Sequence, residues 1–191
     1  GWALSTTSAA SVLERWLQTL EEDFACLPLL DVLKSPFVYA DQERTELLAT
    51  VYRFEQDIIL HENVMRGLAR YRKHLAYRQA RLPASFAASA QAVAQLLDKL
   101  EHAAAPLLLF TAGKRHKPET LLNALQESLH RLGITEAWAT DAAGQSVLRE
   151  LQAMRHALTG RTLRMDWTDF RVWLARTLER ANFFPAANNA S

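Results

Sequence analysis

The segment Pro118-Glu119-Thr120-Leu121-Leu122-Asn123-Ala124-Leu125-Gln126-Glu127-Ser128-Leu129-His130-Arg131-Leu132-Gly133 decides how the rest of the chain is read. Leu121, Leu122, Leu125, Leu129 and Leu132 recur at spacings of three and four, the pattern of a helix with one face turned to a core. Pro118 suits a first helical turn, where its missing N–H is no loss, and Gly133 suits the left-handed residue just past a helix end.

The same period recurs outward in both directions. Val12, Leu13, Trp16, Leu17 and Leu20 form a stripe on a helix expected over 8–22, with Ser11 and Glu14 at capping-box spacing. A short helix over 28–33 opens at Pro28 and breaks at Ser35-Pro36. Asp41 is expected to cap a helix carrying Leu47, Leu48, Val51, Phe54 and Ile58. That helix should bend or stop within 59–63, and another holds Val64, Leu68, Tyr71 and Leu75. Pro83 and Ser85 start an Ala-rich helix reaching residue 104, with Phe86, Val93, Leu97 and Leu100 inward. Beyond the loop at 111–118, residues 141–145 read as a turn before a helix with Val147, Leu148, Leu151 and Leu158, closed by Gly160. Asp166, with Asp169 in the first turn, begins the last helix, with Phe170, Trp173, Leu174 and Leu178 inward. The expected fold is all-α: an irregular bundle of seven or eight helices, without a sheet, in one domain over 1–185 followed by an extended tail over 186–191.

Composition agrees. The chain holds 31 Ala and 31 Leu against 11 Val and Ile together, so strong helix formers outweigh β-branched residues. Gly and Pro total 12 of 191 residues, which excludes collagen-like and low-complexity classes. No apolar run has the length of a membrane span. The one cysteine, Cys26, sits among Phe24, Leu27, Leu29 and Leu30 and reads as a buried thiol, pointing to a reducing, cytoplasmic setting. A first residue that is Gly, and a polar end after Phe183 and Phe184, suggest a domain cut from a longer protein.

The motifs of chemistry are missing. Gly113-Lys114 is followed by Arg115, and Leu108 stands where a phosphate loop needs its first Gly. His61-Glu62 begins like a zinc helix, but Met65 replaces the second His. No Gly-x-Ser-x-Gly turn occurs, and Cys26 has no neighbouring His. The expectation is therefore no catalytic residue, no cofactor and no metal site, and no enzyme activity in this stretch itself.

Charge is the feature that stands out. The net charge is only +1, yet 14–57 carries ten acidic residues against four basic ones. Residues 63–97 carry no acid and six cations: Arg66, Arg70, Arg72, Lys73, Arg78 and Arg81, with Tyr71 and Tyr77 interleaved. Arg66, Arg70 and Lys73 share one helix face by spacing, and Arg78 and Arg81 can extend it. Such a face suits the phosphates of a nucleic acid, because guanidinium forks match phosphate oxygens and binding releases counterions. Lys114, Arg115 and Lys117 in the loop form a second candidate phosphate contact. The competing reading is a solvated face paired with the acidic helix before it.

In order along the chain, these pieces resemble the inserted helical subdomain of superfamily I, UvrD-like helicases, in the version found in the B subunit of AddAB-type helicase–nucleases. The resemblance rests on Gly1-Trp2-Ala3-Leu4-Ser5-Thr6-Thr7 leading into a helix with Trp16-Leu17-x-x-Leu20. It also rests on Leu29-Leu30-Asp31-Val32-Leu33-Lys34-Ser35-Pro36-Phe37, its most specific part, on Asp141-x-x-Gly144, and on Trp167-Thr168-Asp169-Phe170 before Phe184-Pro185. It implies a non-catalytic part of a bacterial double-strand-break repair protein, placed against DNA or a partner helicase–nuclease subunit. Two readings from other classes stand beside it: an all-α module that docks on protein through Phe183, Phe184 and the first helix, and a small-molecule regulator with a pocket near Trp138 or Trp173.

Overall fold

The computed structural model describes residues 1–185 of the 191, so the expected tail over 186–191 lies outside the described residues. Among the described residues there are nine α-helices: α1 (Ser8–Glu21), α2 (Cys26–Lys34), α3 (Arg44–Arg53), α4 (Leu68–Arg81), α5 (Ala87–Leu108), α6 (Pro118–Arg131), α7 (Ile134–Ala139), α8 (Ala142–Ala157) and α9 (Trp167–Arg180). They form an all-α irregular bundle. None of these helices is long and apolar enough to cross a membrane.

Two expectations are corrected. A sheet exists, though a minimal one: β1 (Trp2–Ala3) pairs antiparallel with β2 (Asn182–Phe183), with Trp2 opposite Phe183. Two-residue strands are too short to carry an alternating pattern, so periodicity could not reveal them. The Leu4 N–H then donates to the Ala181 carbonyl at 2.8 Å, extending the link between the two ends of the described chain. The second correction is α7, whose six residues are too few to show a helical period. Gly133 separates it from α6 at φ 75°, a left-handed turn that glycine adopts without strain.

Helix starts also shift. Thr7, not Ser11, caps α1, its hydroxyl accepting from the Ala10 N–H at 3.3 Å. Glu43 replaces Asp41 as the cap of α3, its carboxylate accepting from the N–H groups of Thr45 and Glu46 at 3.0 and 2.8 Å. These two backbone bonds hold the Glu43 carboxyl below its ordinary range. Residues 141–145 are not a free turn: Asp141 caps α8 through the Gly144 N–H at 2.8 Å. Gly144 is required there, since a Cβ would stand 2.6 Å from the Trp138 Cα on α7. Asp166 caps α9 as expected, and Asp169, expected only in the first turn, bonds back to the Asp166 N–H to complete a capping box. The expected bend beyond α3 is a π-helical segment, Phe54–Leu60, whose widened turn lets the consecutive Ile58 and Ile59 both be buried.

The core is continuous and centres on α1. Val12, Leu13, Trp16, Leu17 and Leu20 are all buried, as are Leu121, Leu122, Leu125, Leu129 and Leu132. Trp16 is fully buried, and its indole N–H donates to the Ser128 Oγ at 2.8 Å. Ser128 Oγ in turn donates to the Ala103 carbonyl at 2.6 Å, so one polar relay joins α1, α6 and α5 inside an apolar interior. Trp138 on α7 is likewise fully buried and donates to the Ala9 carbonyl at 3.2 Å. Cys26 is buried as expected, and its N–H donates to the Met65 carbonyl at 2.9 Å. The groups proposed for protein docking are mostly consumed here: α1 spends its apolar face in the core, and Phe183 packs half-buried against it, while Phe184 stays 69% exposed.

Ser128→Ala leaves the Trp16 N–H buried without an acceptor and should lower unfolding stability by about 1–3 kcal/mol. Urea titration checks it, and Trp16→Phe in the same chain should recover part of the loss by removing the orphaned donor.

Candidate nucleic-acid interface

The basic helix α4 is fixed from its inner side. Gly67 enters it at φ 91°, with its N–H donating to the Asp23 carbonyl at 2.8 Å. Tyr71 and Leu75 point inward, and the Tyr71 ring meets Phe54 edge-on at 5.0 Å between centroids. The Tyr71 hydroxyl donates to the Phe24 carbonyl at 2.7 Å, and burial pushes its pKa well above the ordinary phenol range. Tyr71 is thus a core residue, not part of a basic surface. Its anchoring orients the opposite face of the helix to solvent, where Arg70, Lys73, Tyr77 and Arg81 are exposed, with exposed Arg66 in the preceding turn. Eleven residues separate Arg70 from Arg81, about 16 Å along the axis.

The six cations of this stretch separate into two groups. Arg72 lies on the side facing α5, at 3.1 Å from Asp98 and 2.6 Å from Glu101. Arg78 turns toward the π-helical segment, 3.8 Å from Asp57 and 2.9 Å from the His61 Nε2. Both are half-buried and engaged within the fold. Arg66, Arg70, Lys73 and Arg81 have no ion-pair partner among the described residues. Arg81 lies 5.9 Å from the centre of the Tyr77 ring.

Pairing with the preceding acidic helix therefore accounts for Arg78 alone. Other acids of 14–57 are met by Arg171 from α9 or by basic residues of the same stretch. Arg171 on α9 reaches Glu14 at 2.8 Å and also binds Glu21. Arg15 pairs with Asp31 at 3.4 Å and Lys34 with Glu55 at 3.0 Å. Glu43 is occupied as a helix cap.

The second candidate is rebuilt by the fold. His116 and Met165 exchange backbone hydrogen bonds at 2.8 and 2.9 Å, clipping the loop at 111–118 to the segment before α9. The His116 ring is held edge-on against Phe110 at 4.7 Å. Arg115 stays exposed but is engaged along the surface, donating to the Arg164 carbonyl at 3.0 Å and lying 3.8 Å from Asp169. Lys114 and Lys117 stay exposed. Lys117 shares a groove with Arg161 and Arg164, lined also by Glu119, Thr162 and Leu163. Arg161 and Arg164 are the residues that sequence reasoning missed. Their signal was two cations within four residues between Gly160 and the cap Asp166, adjacent to the loop only through the His116–Met165 bridge.

Reactive chemistry finds no assembly in the fold. His61 accepts at its Nε2 from the Arg78 guanidinium rather than standing beside a second ligand, and no group of three or more His, Cys, Asp and Glu side chains is gathered for a metal among the described residues. No family model, no curated protein and no solved structure matches the chain.

The two groups of cations differ in what their removal does to folding. Arg78→Ala leaves Asp57 with Arg53 alone at 3.9 Å and takes the donor from the His61 Nε2, and should cost about 1 kcal/mol. Arg70→Ala, on the exposed face, should stay within about 0.5 kcal/mol of the parent. Paired urea melts measure the contrast.

Proposed function

We propose that this chain is a non-catalytic helical domain that holds nucleic acid by its phosphate backbone, as part of a DNA-repair protein of the helicase–nuclease kind. The observation that carries the reading is the exposed row of Arg66, Arg70, Lys73 and Arg81, whose charges have no intramolecular counterpart among the described residues. Three cations facing water on a helix anchored from behind, with Arg66 just before it, meet a polyanion without a further cost of backbone ordering, because the backbone that carries them is already fixed. Lys114, Lys117, Arg161 and Arg164 offer a second, separately built set of phosphate contacts. Arg72, Arg78 and Arg115 are each engaged with partners of the fold, and phosphate contact is assigned to the unpaired cations. Such contacts position a strand without reading its bases.

Support from the resemblance is of a different kind. It rests on the sequence pattern over 29–37; the break of α2 there follows from proline sterics, with Ser35 extended at φ −67°, ψ 138° and its Oγ accepting from the Phe37 N–H at 3.2 Å. On this reading the domain is architecture, set beside a motor or a partner subunit in the cytoplasm, with ATP hydrolysis and strand cleavage performed by other parts of the assembly.

A labelled duplex titrated with the protein tests the proposal. Binding should weaken with salt at a log–log slope of about −3.6 if all four α4 cations each neutralise a phosphate. Reversal of Arg66, Arg70 and Lys73 to Glu should weaken binding at least about tenfold, since each lost phosphate contact also adds a repelling charge. No binding of duplex or of single strand at low salt, or none lost on reversal, overturns it.

A protein partner is the second reading, favoured by one observation: Phe184 and Trp2 are 69% and 66% exposed where the β1–β2 ribbon joins the ends of the bundle. Self-association visible in light scattering, and relieved by Phe184→Ser, would support it; a monodisperse monomer counts against it.

A further inference from the structure

Tyr77 stands in the middle of the unpaired cations of α4, between Lys73 one turn before it and Arg81 one turn after. It is 48% exposed, whereas Tyr71 on the same helix is fully buried. Its ring is flanked on the helix by His74, with centroids 5.9 Å apart and planes at 59°, and by the Arg81 guanidinium at 5.9 Å. These neighbours restrain the ring without covering it. Away from this face, on the side of α4 that carries Gln79 and Leu82, the chain turns at Pro83 and a cleft opens toward the start of α5, lined also by Phe86 and Ala87.

We infer that the α4 face takes single-stranded nucleic acid, with an unpaired base stacked on Tyr77 and the flanking phosphates held by Lys73 and Arg81. The inference rests on the phosphate-binding reading above and narrows its ligand. Duplex DNA presents phosphates outward and keeps its base faces stacked inside, so a half-exposed aromatic ring among the cations gains nothing from it. A single strand presents both phosphates and open base faces, and aromatic stacking accepts any base because every base has a π-face. Steps of three and four residues place successive groups roughly 4.5–6 Å apart along the helix, so a base and its two neighbouring phosphates can meet Tyr77, Lys73 and Arg81 together.

The test compares an oligo-dT of about 16 nucleotides, the upper range of sites used by such surfaces, with a duplex of the same length by fluorescence anisotropy at low salt. The unaltered protein should bind the single strand more tightly. Tyr77→Ala should weaken oligo-dT binding at least about fivefold and leave duplex binding within about twofold, while Tyr77→Phe keeps the single-strand affinity. Circular dichroism confirms that α4 persists in both variants, whose substituted ring is on the surface. Equal or tighter duplex binding, or a Tyr77→Ala protein that holds oligo-dT as well as its parent, overturns the stacking inference. If reversal of Arg66, Arg70 and Lys73 still abolishes binding in that case, the phosphate reading stands without it. Absence of binding to either probe removes both.

Discussion

The indole of Trp16 donating to Ser128, and Ser128 donating on to the Ala103 carbonyl, is the constraint from which the rest of the bundle follows. Three helices far apart in sequence meet at this relay, inside an interior that is otherwise apolar. An indole N–H and a hydroxyl cannot be left without partners in such a place, so the rotation of α1 against α6 and α5 is specified, not merely its proximity. With α1 fixed, α2 folds back along it, and α7 closes the other side through Trp138 and the Ala9 carbonyl. Gly144 lets α8 approach the backbone of α7 more closely than any side chain would permit. Thr7 at the start of α1 and the short ribbon between Trp2–Ala3 and Asn182–Phe183 then bring α9 against the first turns of the chain.

The same packing sorts the charges. Bringing α9 alongside α1 delivers Arg171 to Glu14 and Glu21, which removes two acids that the basic helix might otherwise have met. Packing α4 on α5 engages Arg72, and packing it on the π-helical segment engages Arg78. What is left on the outer face of α4 is a row of cations around one exposed tyrosine. Surface ion pairs are individually weak, so the distinction lies less in their energy than in direction: a paired guanidinium points along the protein, and an unpaired one is free to point at a ligand.

On the proposed reading the chain serves catalysis performed by other parts of its assembly. A strand presented to a motor or nuclease must be held in register without being held by its sequence, and phosphate contacts do that because phosphates repeat whatever the bases are. The anchoring of α4 by Tyr71, Leu75 and Phe54 suits such a task, since a rigid row of cations defines a path rather than a loose attraction.

Much of this was legible beforehand, for reasons that can be named. The stripe of leucines in α6, the capping pair Asp166 and Asp169, and the break at Ser35-Pro36 are local patterns, set by residues within a few positions of one another, and they appear as read. So does the all-α class, which scarce Val and Ile and a recurrent 3–4 period require. The short elements were not legible: β1, β2 and α7 are too brief for a period, and they persist only because neighbours hold them. The candidate surface was half legible. Spacing alone placed Arg66, Arg70 and Lys73 on one face, but it could not say that Arg72, Arg78 and Arg115 would meet acids or carbonyls distant in sequence, or that Arg161 and Arg164 would arrive beside Lys117. Periodicity reports which residues share a helix face; which face meets water, and which charge meets a partner, depends on helices brought together across the whole chain, and that only tertiary packing decides.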